Sequence, residues 1–111
     1  MYEEKIKSIV EQFALELKKV YGTALRNVIL YGSYARGDFE KDSDIDIMVL
    51  LDIPQEEISK ARKQISDISD QFDLDHDVVL APVIQNYHMF QQYMPASKFY
   101  QNVQKEGVML A

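Results

Sequence analysis

The chain has 111 residues, 47% of them hydrophobic and 27% charged, with a formal net charge of -6. That size and composition fit one packed domain spanning 1–111, far from the low-hydrophobicity regime of disordered chains. The acidic balance argues against a broad nucleic-acid surface, which needs clustered Lys and Arg, and the lack of cysteine excludes disulfides and thiolate zinc sites. No apolar run reaches membrane-spanning length, and Glu3 and Glu4 stand where a leader peptide would be basic, so a cytoplasmic location is expected.

From Ile6 onward, Ile9, Val10, Phe13, Leu17 and Val20 recur at three- and four-residue steps, which predicts one face of an amphipathic helix ending near Gly22. Val28 to Tyr31 is a short β-branched and aromatic run stopped by Gly32, and Ile45 to Leu51 is a longer apolar run interrupted only by Asp46. Both are expected to be strands. The polar stretch Ser33 to Ser43 between them, with Arg36, Gly37, Asp38, Glu40, Lys41 and Asp42, is expected to be a loop opening with a helical turn.

Pro54 followed by Gln55, Glu56 and Glu57 predicts a helix start, because proline is tolerated in the first turn and acids there complement the helix dipole. Ile58, Ala61, Ile65, Ile68 and Phe72 then form its apolar stripe. Asp77 to Val83 reads as a third strand finished by Pro82, with Asp67, Asp70, Asp73 and Asp75 as a solvated helix end and turn before it. Tyr87 to Met94 and Ser97 to Lys105 read as two short helices split by Pro95, with Gly107 as a cap. The α-β-β-α-β-α-α order predicts an α/β (α+β) fold, a small mixed β-sheet with helices packed on one face.

The chemistry is concentrated in Gly32-Ser33-Tyr34-Ala35-Arg36-Gly37 and in Ser43-Asp44-Ile45-Asp46-Ile47. A glycine ending a strand lets a ligand approach the backbone, Ser33 can offer a hydroxyl and an amide to a phosphate oxygen, and Arg36 is a second candidate phosphate ligand. Alternate residues of a strand share a face, so Asp44 and Asp46 should stand side by side, their Cα atoms roughly 6 to 7 Å apart. Two such carboxylates repel each other unless a cation lies between them. Hard oxygen ligands of this kind suit Mg²⁺, which prefers one or two carboxylates plus substrate phosphates.

Two look-alikes fail. Gly32 to Gly37 has the glycine spacing of a phosphate-binding P-loop, but Asp38-Phe39 replaces the required Lys-Ser or Lys-Thr. Asp42, Asp44 and Asp46 mimic a calcium-binding EF-hand start, but Ile47 replaces its glycine and Ile53 its bidentate acid. His76 and His88 have no companions at metal-ligand spacing. The aromatic run Tyr87, Phe90, Tyr93, Phe99 and Tyr100 is expected to be core or a partner interface.

Gly-Ser, ten residues, then Asp-x-Asp resembles the signature of the polymerase β superfamily of nucleotidyltransferases. The fuller Gly-Ser-x-Ala-Arg-Gly and Ser-Asp-Ile-Asp are similar to the minimal nucleotidyltransferases, the small antitoxin-type partners of HEPN-domain toxins. The family's third acid lies in an apolar-Asp-Val-Val setting, which Asp77-Val78-Val79 resembles except that His76 precedes it. Strand alternation alone does not choose between Asp75 and Asp77; the family pattern favours Asp77. Phe99-Tyr100-Gln101-Asn102 and Glu106-Gly107-Val108 resemble the family's closing segment, with no chemical role attached.

The resemblance implies a polymerase β-like fold and in-line transfer of AMP from ATP, with pyrophosphate leaving. It implies that Gly32 and Ser33 bind the β- and γ-phosphates, that Asp44 and Asp46 hold two Mg²⁺ ions, and that Asp77 completes the second metal site and favours deprotonation of the acceptor. The implied acceptor is a tyrosine of a HEPN-domain RNase toxin, and an assembly with that partner is expected. Two rivals are a non-catalytic antitoxin that masks its toxin and a small-molecule nucleotidyltransferase. Intact acids weigh against the first, and a chain too short for a second acceptor-binding domain against the other.

Overall fold

The computed structural model describes residues 2–40 and 42–110, so Lys41 of the expected loop lies outside the described residues. Helix α1 (Tyr2–Tyr21) leads into β1 (Leu25–Tyr31), the single-turn helix α2 (Ser33–Arg36) and β2 (Ile45–Leu51). Helix α3 (Ile58–His76), β3 (Leu80–Asn86), α4 (Tyr87–Tyr93), α5 (Lys98–Glu106) and β4 (Val108–Met109) follow. The strands form one four-stranded mixed sheet in the order β3-β2-β1-β4, with β1 antiparallel to both neighbours and β2 parallel to β3.

The expected α/β class and mixed sheet are present, and alternation in β2 shows how the layers divide. Ile45, Ile47, Val49 and Leu51 point into a core built with Ile6, Val10, Phe13 and Leu17 of α1 and Ile58, Ala61 and Ile65 of α3. Met48 and Leu50 point the other way, to Ile29, Phe90 of α4 and Val103 of α5. The two long helices thus share one face, as the order of elements predicts. The short C-terminal helices take the opposite face, which the expected one-sided packing leaves bare. An apolar run alternating into both faces needs cover on both, and Phe90 and Val103 supply it.

Three local expectations change. Val20, counted on the buried face of α1, is 52% exposed. The third strand starts at Leu80 rather than Asp77, because α3 continues through Asp73 and Asp75 to His76 and closes on Asp77 in the left-handed region, at φ 53° and ψ 51°. Asp75 is therefore helical, and accepts a hydrogen bond from Gln71 Nε2 at 2.9 Å. Pro82 does not finish β3, which runs through it to Asn86. As β3 lies at the sheet edge, proline's missing N–H costs no ladder bond on the outer side. The short strand β4 has no counterpart in the sequence expectations.

Candidate active site

The site is assembled where β1 and β2 run side by side. Tyr31, the last residue of β1, is the cross-strand partner of Asp46, the second residue of β2. Partners across an antiparallel pair share a face, and Tyr31 packs against the Met48 and Leu50 cluster, so Asp46 stands on the α4/α5 side. Asp44 is exposed and immediately precedes β2.

Between the strand and α2 the chain turns at Gly32, at φ 75° and ψ -150°, a region open essentially to glycine. Space imposes the same choice. A Cβ on Gly32 would overlap Oδ2 of Asp46, whose Cγ would lie 3.1 Å away. The Gly-Ser loop is therefore seated directly on the Asp46 carboxylate. The Gly32 carbonyl accepts from Ala35 N and Arg36 N, both at 3.1 Å, which winds Ser33–Arg36 into one helical turn. The first N–H groups of such a turn have no acceptor within it.

Electrostatics mark Asp46. Burial pushes its carboxyl above the usual carboxylate range, the Asp44 charge adds to this, and the Arg36 guanidinium opposes it. The Tyr31 hydroxyl is pushed up to about 12, by burial first and then by Asp46. Arg36 is tethered on both sides: Nε donates to Asp38 Oδ2 at 3.2 Å, and Nη1 lies 3.5 Å from Glu106 Oε2.

Gly32, Ser33, Arg36, Asp44 and Asp46 thus come together at the β1–β2 end, while Asp77 is carried by a different junction. It is exposed at the α3–β3 junction and lines a cavity of 410 Å³ with Lys5, Tyr34, Asp42, Ser43 and His76. The residue beside Asp46 on β3 is Ala81. Among the described residues no three His, Cys, Asp or Glu side chains form a metal-holding group. Asp73 fixes the Asp77 junction. Its carbonyl accepts the Asp77 amide, and its carboxylate Oδ1 accepts Leu80 N at 2.8 Å. Burial raises the Asp73 pKa, the Leu80 bond opposes this, and Asp70 and Asp44 add to the rise. The sequence pattern puts Asp73 in a solvated helix end and turn and gives Tyr31 and Glu106 no chemical role; the structure places Asp73 near the end of α3, partly buried. For Tyr31 the available signal was its place directly before Gly32.

The family model described as a nucleotidyltransferase domain matches residues 10–109, over the Gly-Ser loop, Asp44, Asp46 and β3. The chain belongs to the nucleotidyltransferase family. It is 32% identical over 110 residues to MJ0604 of Methanocaldococcus jannaschii, named among the protein adenylyltransferases, with 99% of each chain covered. A solved toxin–antitoxin structure with AMP-PNP matches at a TM-score of 0.52 and 20% identity, covering 91% of this chain and 72% of the other. A mutant of the MntA–HpeT toxin–antitoxin pair matches at the same TM-score and coverage with 18% identity, a likeness of fold. No helix among the described residues is long and apolar enough to cross a membrane.

Proposed function

We propose that this chain transfers AMP from ATP to a hydroxyl of a partner protein in the cytoplasm. The proposed acceptor is a tyrosine of a HEPN-domain RNase toxin, which makes the chain an antitoxin. The observation that carries the reaction is the Gly32 backbone seated on the Asp46 carboxylate, with Asp44 beside it and Arg36 near. Family membership supports nucleotidyl transfer, and the toxin–antitoxin neighbours support a toxin as partner.

The residues fit a divalent ion that also contacts the substrate. Burial, and then the Asp44 charge, raise the Asp46 pKa, which is the situation a bound cation would relieve, and the donors are hard oxygens. Asp44 and Asp46 would hold Mg²⁺, two ions by the family pattern, with substrate phosphates completing the shell. When bound, Mg²⁺ neutralises charge developing on the transferred and leaving phosphates. Ser33, opening α2, offers its amide and hydroxyl to the β- and γ-phosphates beside Gly32, and Arg36 adds a guanidinium. Asp77, at the α3–β3 junction, would be the third acid by the family pattern, completing the second metal site and favouring deprotonation of the attacking hydroxyl as the new O–P bond forms and pyrophosphate departs.

Incubating the chain with its toxin partner, Mg²⁺ and ATP should add about 329 Da per transferred adenylyl group to that partner, as in-line displacement at the α-phosphorus requires. Asp46→Asn should add nothing. Should Asp46→Asn neutralise the toxin as well as the wild type does, with no mass added to the toxin, steric masking replaces catalysis as the reading.

A further inference from the structure

The C-terminal segment lies against the Gly-Ser loop. Phe99, Asn102, Val103 and Glu106 fall at the i, i+3, i+4 and i+7 positions of one helical face of α5, and with Tyr31, Gly32 and Arg36 they enclose a cavity of 220 Å³. Glu106 owes its place to Gly107. The Gly107 φ of -71° is ordinary, so space is what excludes a side chain: a Cβ there would overlap Ile29 Cγ2 and the Val103 carbonyl. Glycine lets the chain pass directly from α5 into β4, which pairs Val108 with Leu30 and Met109 with Ile29. Leu110 N then donates to Val28 O at 2.8 Å. Glu106 is thereby fixed to the same strand that delivers Gly32.

We infer that Glu106 is a positioning residue: it holds the Arg36 guanidinium against the Gly32–Ser33 loop so that its remaining donors meet the triphosphate. This rests on the phosphate-site reading given under Proposed function. A guanidinium carries five N–H donors in one plane. Asp38 engages Nε, Glu106 engages Nη1, and two tethers on different nitrogens fix the plane where one leaves it free to swing. An arginine oriented beforehand loses less side-chain freedom on meeting phosphate. One effect runs the other way, since Glu106 is itself an anion beside an anionic ligand. The Arg36 and Glu106 side chains are 46% and 38% exposed, so neither effect is large and the sign of the change decides between them.

The test is a calorimetric titration of MgATP into the wild type, Glu106→Gln, Arg36→Ala and the double variant. Glu106→Gln should weaken binding roughly two- to fivefold, the scale of an exposed ion pair, and should change nothing further in the Arg36→Ala background. Unchanged or tighter binding by Glu106→Gln overturns the inference. So does an equal loss in both backgrounds, because Glu106 would then act independently of Arg36. If Glu106→Gln melts well below the wild type, Glu106→Asp, which keeps the charge, replaces it in the cycle with the same criteria. Equal MgATP affinity in the wild type and Arg36→Ala overturns the phosphate reading of Arg36 and this inference with it, whereas a normal Arg36 effect with an inert Glu106 overturns the inference alone.

Discussion

Asp46 is the residue on which opposing demands meet. It is half-buried under Gly32, faces Tyr31 across the strands and carries a like charge at Asp44, so its ionised form is disfavoured in the folded protein. A carboxyl whose folded pKa lies above its unfolded value binds its proton more tightly when folded. It therefore adds stability at low pH, and that contribution is lost as pH rises from the ordinary carboxylate value through the folded one. Burial and the Asp44 charge both disfavour the ionised carboxylate, and a cation bound there would relieve them. Asp46→Asn should accordingly keep the melting temperature level or raise it by up to about 5 °C at pH 7, on the scale by which small stability changes move a domain this size. The difference from the wild type should shrink as pH falls below the Asp46 pKa. Calorimetric melts across that range check both statements, and a large fall at pH 7 would make Asp46 a structural residue. Tyr31 follows the same sign: with its hydroxyl pushed up to about 12, the folded protein loses stability as pH climbs from the usual tyrosine range toward that value.

At the level of elements, Gly107 decides whether the C-terminus closes the sheet. Gly107→Ala would push a methyl into Ile29 and the Val103 carbonyl, and overpacking of this kind costs about 1–3 kcal/mol. The melting temperature should fall, and protection of the Leu110 amide, which donates to Val28, should be lost in hydrogen exchange. An unchanged exchange pattern would mean β4 is not held through Gly107. The same region shows why some elements were legible in sequence and others were not. Helix α1 announces itself because Ile6, Ile9, Val10, Phe13 and Leu17 are buried at helical steps, and β2 because a nearly unbroken apolar run faces core on both sides. The boundary before β3 was displaced. Asp77 terminates the helix by adopting left-handed backbone, which Asx residues tolerate and which leaves no clear mark in the apolar pattern. Strand β4 is two exposed residues whose pairing depends on a tertiary gap beside Ile29, information that no local pattern contains. The Gly-Ser loop and the acids Asp44 and Asp46 were legible through their spacing. The tethering of Arg36 by Glu106 was not, since it arises only when α5 folds back on β1.

For the whole molecule, the charge balance makes nucleotide binding conditional. The chain carries a net charge of -6, and in the proposed phosphate site Asp44 lies near Asp46 with Arg36 as a described cation near them. A triphosphate adds several negative charges at close range, and two like charges about 4 Å apart near a protein surface repel by about 4 kcal/mol. One guanidinium already shared between Asp38 and Glu106 cannot offset that. In the proposed function a divalent ion would reverse the sign, with Asp44 and Asp46 as the residues that would hold it beside the phosphates. Calorimetric titration should therefore show ATP binding with Mg²⁺ and an affinity at least about 100-fold weaker in chelator, a difference of about 2.7 kcal/mol. Thermal melts give an independent reading: MgATP at about 100 times its dissociation constant should stabilise the fold by about 2.7 kcal/mol, whereas ATP with chelator should leave the melt unchanged. Equal affinity and equal stabilisation in both conditions would mean that Asp44 and Asp46 do not face the triphosphate through a shared cation, and the assignment of these two acids would fall.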